Sequence, residues 1–256
     1  MFFMRKFWAG IVLATLVSGT AGFATPAAAL DDKQKQEMGD FIHDYLIAHP
    51  EVLLEAQDAL QKKQAEAEAA RSAAQVSANE QDIFHSKDDV VLGNPNGNVS
   101  IVEFYDYNCP YCRHAISDMN DLIKHDNNLR FVLKELPILG PDSEAAHRVS
   151  FAVRELAPEK YPAFHEALLG GTVRATQASA MAIAEKLGLK EADIAKQMAA
   201  QPNDEAVKKT YTLAQSLGIT GTPAYVIGTE VISGAVGEDT LKQKIANMRN
   251  CGKSSC

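Results

Sequence analysis

Residues 107–113 read Tyr-Asn-Cys-Pro-Tyr-Cys-Arg, which sets Cys109 and Cys112 two residues apart. A pair at that spacing supports three kinds of chemistry. It can offer two thiolates to a metal, lock as a static disulfide, or open and close as a redox couple. The other two cysteines, Cys251 and Cys256, have a four-residue gap in a terminal tail, a poor second half for a zinc site. Pro110 suits the first turn of a helix opening directly behind Cys109. There the helix dipole and unpaired backbone N–H groups stabilise a thiolate, lowering the pKa of the first thiol. Cys112 lies one turn on, within reach but more buried. Redox chemistry is the leading reading, with a zinc site and a static disulfide as the alternatives.

Such a site needs a strand to end just before Cys109. Val99 to Tyr105 reads as a buried strand, Pro110 to Lys124 as a helix, and Leu129 to Leu136 as a second strand. Gly93-Asn94-Pro95-Asn96-Gly97-Asn98 is dense in turn formers and marks the entry to this domain. From Ser143 to about Leu217 the pattern is helical, punctuated by Pro158, Gly170-Gly171, Gly188 and Pro202. Ala224–Ile227 and Glu230–Ser233 form a strand pair joined at Gly228-Thr229, and Glu238 to Met248 closes as a helix. The order predicts an α/β fold of thioredoxin type with a helical subdomain inserted at about 141–217.

The N-terminal part differs in composition. Met-Phe-Phe-Met-Arg-Lys precedes an apolar run from Phe7 to Ala24 and then Pro26-Ala27-Ala28-Ala29, the order of a signal peptide cleaved after Ala29. An uncleaved membrane anchor is the alternative. Cleavage removes Arg5 and Lys6 and takes the formal charge from -8 to -10, which argues against nucleic acid and anionic membranes as partners. An exported chain meets an oxidising compartment in which a cysteine pair holds a disulfide. Residues 30–85 read as a helical segment and linker. Met38, Phe41, Ile42, Tyr45 and Leu46 fall at helical spacing, and Val52, Leu53, Ala56, Ala59 and Leu60 continue the stripe beyond His49-Pro50. From Gln61 to Gln75 there is no large apolar residue, as in a solvated helix or semi-rigid spacer. The stripe needs a covering surface. The expected cover is another copy of the chain, in a homo-oligomer (dimer or trimer); folding back on its own domain is the alternative.

Two motifs together carry a family resemblance. Gly93-Asn94-Pro95 and Val102-Glu103-Phe104-Tyr105-Asp106-Tyr107-Asn108-Cys109-Pro110-Tyr111-Cys112-Arg113 are followed, beyond the helical insert, by Gly221-Thr222-Pro223-Ala224. From about Val91 to Met248 the chain resembles the DsbA family of exported, periplasmic thiol–disulfide oxidoreductases. Its N-terminal appendage resembles the oligomerisation segments of ScsC-like members. The resemblance implies a domain over 86–250, Cys109 as nucleophile, Cys112 as resolving thiol and Pro223 as a cis-proline facing them. A Gly-Thr-Pro turn just before a strand is a plausible place for a cis bond, and it would free the Thr222 backbone to pair with a substrate chain. The implied partners are cysteine-containing secreted proteins and a membrane redox partner. No cofactor and no metal are implied.

Glu103 matches an acidic residue that the family carries beneath the cysteines. Burial raises a carboxyl pKa, so Glu103 is a candidate to pass protons to and from Cys112. The plainer reading is an outward strand residue paired with a lysine such as Lys134. Tyr111 departs from the His that strongly oxidising members carry, and Thr222 resembles isomerases and ScsC-like proteins; both weaken the case for a pure oxidase. The seven histidines show no ligand spacing. His114 reads as a surface residue, with tuning of Cys109 as the sharper option. Cys251 and Cys256, in the tail 251–256, are expected to form a small terminal disulfide rather than a relay. Beyond oxidoreductase, two other functions fit: a Cu(I)-binding protein of metal tolerance, since thiolates select that ion, and a chaperone module using its N-terminal helices.

Overall fold

The computed structural model describes residues 30–256. The expected signal peptide lies outside the described residues. Two compact units are present, one ending at Leu60 and one spanning Gln61–Cys256.

In the first unit, α1 (Asp32–Ala48) opens on a capping box, in which the Asp31 side chain accepts from the Gln34 N–H and the Gln34 side chain accepts from the Asp31 N–H. The helix stops ahead of Pro50, and α2 (Glu51–Ala78) follows. The stripe remains open: Met38, Phe41, Ile42, Tyr45, Leu53 and Leu60 are all exposed.

In the second unit, a five-stranded sheet has the order β1-β3-β2-β4-β5. Its strands are β1 (Val90–Gly93), β2 (Val99–Tyr105), β3 (Leu129–Glu135), β4 (Ala224–Ile227) and β5 (Glu230–Ser233). Only β2 and β3 run parallel; their crossover is α4 (Pro110–His125). The insert holds α5 (Pro141–Leu156), α6 (Tyr161–Leu169), α7 (Gln177–Lys186), α8 (Glu191–Ala200) and α9 (Asp204–Ser216), and α10 (Glu238–Cys251) closes the chain. The predicted α/β fold with its helical insert is therefore present.

Alternation along β2 divides the core. Ile101 and Tyr105 face one layer with Cys112, Met119, Phe164 and Leu241. Val102 and Phe104 face the other layer with Leu213 and Leu217. Burying each such side chain contributes about 1.5–3 kcal/mol.

Two elements were not foreseen. The first is β1, just ahead of the turn formers that begin at Gly93, which pairs antiparallel with β3. Gly97 in the following turn sits where a Cβ would lie 2.6 Å from the Asn128 carbonyl oxygen, so only glycine fits. The second is α3 (Glu80–Phe84), whose Ile83 is fully buried beside Val76 of α2 in the Val102/Phe104 layer. This moves the expected domain boundary at residue 86. Two isolated apolar residues in a polar helical stretch anchor 61–85 to the sheet, and the compact unit starts at Gln61.

Candidate active site

Cys109 is the N-cap residue of α4, in extended conformation at φ -75° and ψ 118°, with Pro110 in the first turn. Its own N–H donates to the Asp106 carbonyl at 3.0 Å, and its carbonyl accepts from the Arg113 N–H at 3.1 Å. Strand β2 is buried along nearly its whole length, so it delivers the chain to this point rigidly. Cys112 lies one turn on and is fully buried; Cys109 is 4% exposed. Both are free thiols.

Facing them, the Thr222–Pro223 bond is cis and leads directly into β4. The Cys109 thiol donates to the Thr222 carbonyl at 3.0 Å. The Thr222 hydroxyl is buried and has no partner in the protein, which leaves it available to the sulfur once the thiol ionises.

The two sulfurs are driven apart in acidity. The Cys109 thiol is lowered to about 5, chiefly by a hydrogen bond from Cys112, helped by Thr222 and the backbone N–H groups of Cys112 and Tyr111, and opposed by burial. Burial pushes Cys112 far up, and its bond to Cys109 and the charge of Glu103 push the same way.

Glu103 sits between Leu133 of β3 and Tyr225 of β4 in the sheet register, on the same face as Ile101 and Tyr105, the layer that holds both cysteines. It is 2% exposed and its Oε1 has no partner. Burial raises its carboxyl to about 8, with smaller contributions from the charges of Cys109 and Asp118. The pairing with Lys134 does not form. Lys134 is opposite Phe104 in the register, on the other face, where its ammonium donates to Asp89 at 2.6 Å. A shift of one residue along a strand is a change of face.

Tyr111 is exposed, as is His114. Cys251 and Cys256 are joined in a disulfide with a Cα–Cα distance of 6.4 Å, so they do not complete a four-cysteine cluster with the first pair.

Several residues around the pair were not singled out from sequence. Asp106 is fully buried and accepts from the Asn108 N–H at 2.7 Å, the Ser143 hydroxyl at 2.7 Å and the Leu139 N–H at 3.0 Å. The Asp-x-Asn spacing was the available signal, since an Asp accepting from the N–H two residues on is a common turn device. Beneath the site, Tyr105, Tyr107 and Tyr161 share hydrogen bonds with Ser150, Glu135 and His165. Nothing local predicts that cluster, because its members come from β2, the turn that follows it, β3, α5 and α6.

Residues 100–246 match the family described as DSBA-like thioredoxin domain. The chain belongs to this family. Residues 34–67 match the copper resistance protein ScsC N-terminal domain. Among solved structures, this DsbA-like chain is 37% identical to a thioredoxin-like oxidoreductase from Silicibacter pomeroyi DSS-3, over 68% of this chain and 99% of that one, with a TM-score of 0.64. It is 28% identical to the thiol-disulfide exchange protein alpha-DsbA2 from Wolbachia pipientis, over 71% of this chain and 98% of that one, with a TM-score of 0.67. It is 25% identical to disulfide bond formation protein D of Bacillus subtilis (strain 168), over 60% of this chain and 74% of the relative. The chain spans 24% of the length of a Na(+)/H(+) antiporter, NhaA 1 of Salinispora arenicola (strain CNS-205), to which it is 24% identical.

Proposed function

We propose that this DsbA-like chain is an exported thiol–disulfide oxidoreductase that forms or reshuffles disulfides in cysteine-containing secreted proteins. The observation that carries this reading is the opposite displacement of two thiols one helical turn apart. A sulfur that ionises near pH 5 beside one that resists ionisation makes an ordered couple, with Cys109 as nucleophile and Cys112 as resolving thiol.

In the oxidising direction, a client thiolate attacks Cys109 Sγ, and the Cys109–Cys112 bond breaks. Cys112 leaves as a thiolate and takes a proton from Glu103, whose raised pKa keeps it protonated near neutral pH. A second client thiolate then attacks the client sulfur of the mixed disulfide. The client disulfide forms, Cys109 departs as a thiolate, and two electrons have passed from client to enzyme. Thr222 and Pro223 border the reacting sulfur and offer backbone to the client strand. No cofactor enters these steps. Reoxidation or reduction of the pair falls to a membrane redox partner.

The exposed stripe of α1 and early α2 supports self-association as a dimer or trimer, and the match of residues 34–67 to the ScsC N-terminal domain points the same way. Several Cys109 sites held around a shared space suit reshuffling of wrong disulfides. Because Val76 and Ile83 belong to the sheet core, the clean truncation removes residues 30–60 rather than 30–80. Light scattering is expected to show an oligomer that becomes monomeric on that truncation, with loss of scrambled-ribonuclease refolding and retention of insulin reduction. A monomeric full-length chain would end the oligomer reading.

The ScsC match also favours a second reading, in which the two thiolates hold Cu(I). A reduction potential for Cys109–Cys112, taken alongside Cu(I) competition titration, separates the two. Mixed disulfides with clients that accumulate in a Cys112→Ser variant support the first.

A further inference from the structure

The residues that flank the cysteines hold a loop of the inserted subdomain in place. Asn108 meets Ala175 twice: its Nδ2 donates to the Ala175 carbonyl at 2.8 Å, and its Oδ1 accepts from the Ala175 N–H at 2.8 Å. A side-chain amide here copies the pairing of a β-strand. On the other side of the pair, the Arg113 guanidinium donates to the carbonyls of Gly171 and of Val173, the latter at 2.8 Å, while its Nε donates to the Tyr107 carbonyl at 3.2 Å. Arg174 closes onto Asp142 at 2.7 Å, joining this loop to the start of α5. Residues 171–175 are therefore tied to Asn108 and Arg113, the residues on either side of the Cys109–Cys112 segment, as a fixed strap rather than a free loop.

The apolar surface collects at the same place. Across residues 61–256 the exposed large hydrophobic residues are Tyr111, Leu139, Leu156 and Val173, at 64%, 42%, 40% and 67%. Three of these four sit around the pair. Tyr111 lies between the cysteines, Val173 is on the strap, and the Leu139 N–H is held by Asp106, whose carbonyl in turn holds the Cys109 N–H. Scattered exposure needs no explanation, whereas exposure gathered around one reactive sulfur does.

We infer that Asn108 and Arg113 are positioning residues that hold residues 171–175 as a wall beside Cys109, and that Val173 with Tyr111 reads apolar side chains next to a client's cysteine. The inference rests on the proposed exchange with protein thiols. The occupant is an extended polypeptide segment with a cysteine flanked by leucine-like residues. Val173 and Tyr111 set preference among clients and take no part in the sulfur chemistry.

The test uses the oxidised full-length protein and two single-cysteine peptides, one with Leu and one with Ser on each side of the cysteine. Stopped-flow measurement follows peptide thiolate attack on Cys109 Sγ, with Cys112 released as a thiol. The unaltered protein is expected to favour the Leu peptide by about fivefold or more, the worth of one partly buried apolar contact. Val173→Asp, at an exposed position that the fold does not use, should remove most of that preference. Arg113→Ala should lower the ratio of the Leu-peptide rate to the dithiothreitol rate by about tenfold, and Arg113→Lys, which cannot bridge both carbonyls, should restore it only in part. A preference untouched by Val173→Asp overturns the inference, and does so even if Arg113→Ala fails to fold. Reaction of the unaltered protein with dithiothreitol but with neither peptide overturns the client-exchange function itself, and the wall with it.

Discussion

The two cysteine pairs occupy opposite poles of two helices. Cys109 caps the N-terminus of α4, where unpaired N–H groups and the positive end of the dipole meet its sulfur. Cys251 is the last residue of α10, at the negative end, in front of the left-handed Gly252. The first pair is buried and free; the second is exposed and closed. Ser254 of the tail lies near Gly228, at the far end of β4 from Thr222–Pro223, whose Thr222 carbonyl meets Cys109. Close spacing thus brings two sulfurs together, while reactivity comes from the pole of the helix and from what surrounds it.

The largest effect expected from this contrast is on exchange rate. Cys109→Ser should abolish insulin reduction, by at least about a thousandfold, while the Cys251→Ser/Cys256→Ser double variant stays within about twofold of the unaltered protein. Alkylation against pH sharpens the point. Cys109 should be about nine-tenths ionised at pH 6, whereas a terminal thiol titrating near 8.5 would be less than about 1% ionised there. A Cys109 that titrates like a free thiol breaks the contrast.

Glu103 provides the next effect, because it sets a fully enclosed carboxyl in the layer that holds the buried pair. Its folded pKa, about 8, lies above the model-compound value of 4.5, so the folded chain holds the proton longer than the unfolded chain. Stability is therefore lost as pH rises through that window, and Glu103→Gln should remove the loss. In urea melts of the reduced protein the variant should be more stable by about 2–4 kcal/mol at pH 9 and close to the unaltered protein at pH 5. Its exchange at Cys112 should be slower. A stability gap that is equal at both pH values would show that the carboxyl is not the titrating group.

The smallest effect belongs to the terminal disulfide. It closes a loop of only six residues, so its loss should cost at most about 2 kcal/mol. Reduced and oxidised tails compared in the Cys109→Ser/Cys112→Ser background measure it. A larger loss would mean that Ser254, buried against α10 through the Asn247 bond to its carbonyl at 3.0 Å, depends on the closed ring for its seat.

Residue type and spacing were enough to read the cysteine pair, the strand and helix that carry it and the helical insert, while the proline that faces the pair came from the family resemblance. The first three are local signals: a CxxC spacing, a period of two or near four, a Pro in a first helical turn. The exposed stripe of α1 was legible for the same reason. Tertiary structure alone decided the face of the sheet on which Glu103 lies, since the strand is buried on both faces and its alternation is hidden. It also decided that Val76 and Ile83, lone apolar residues in polar surroundings, belong to the core, and that Asn108 and Arg113 reach a strap some 60 residues away. A hydrogen bond or a buried contact between distant segments leaves no period in the chain, because it depends on where the fold brings the second partner.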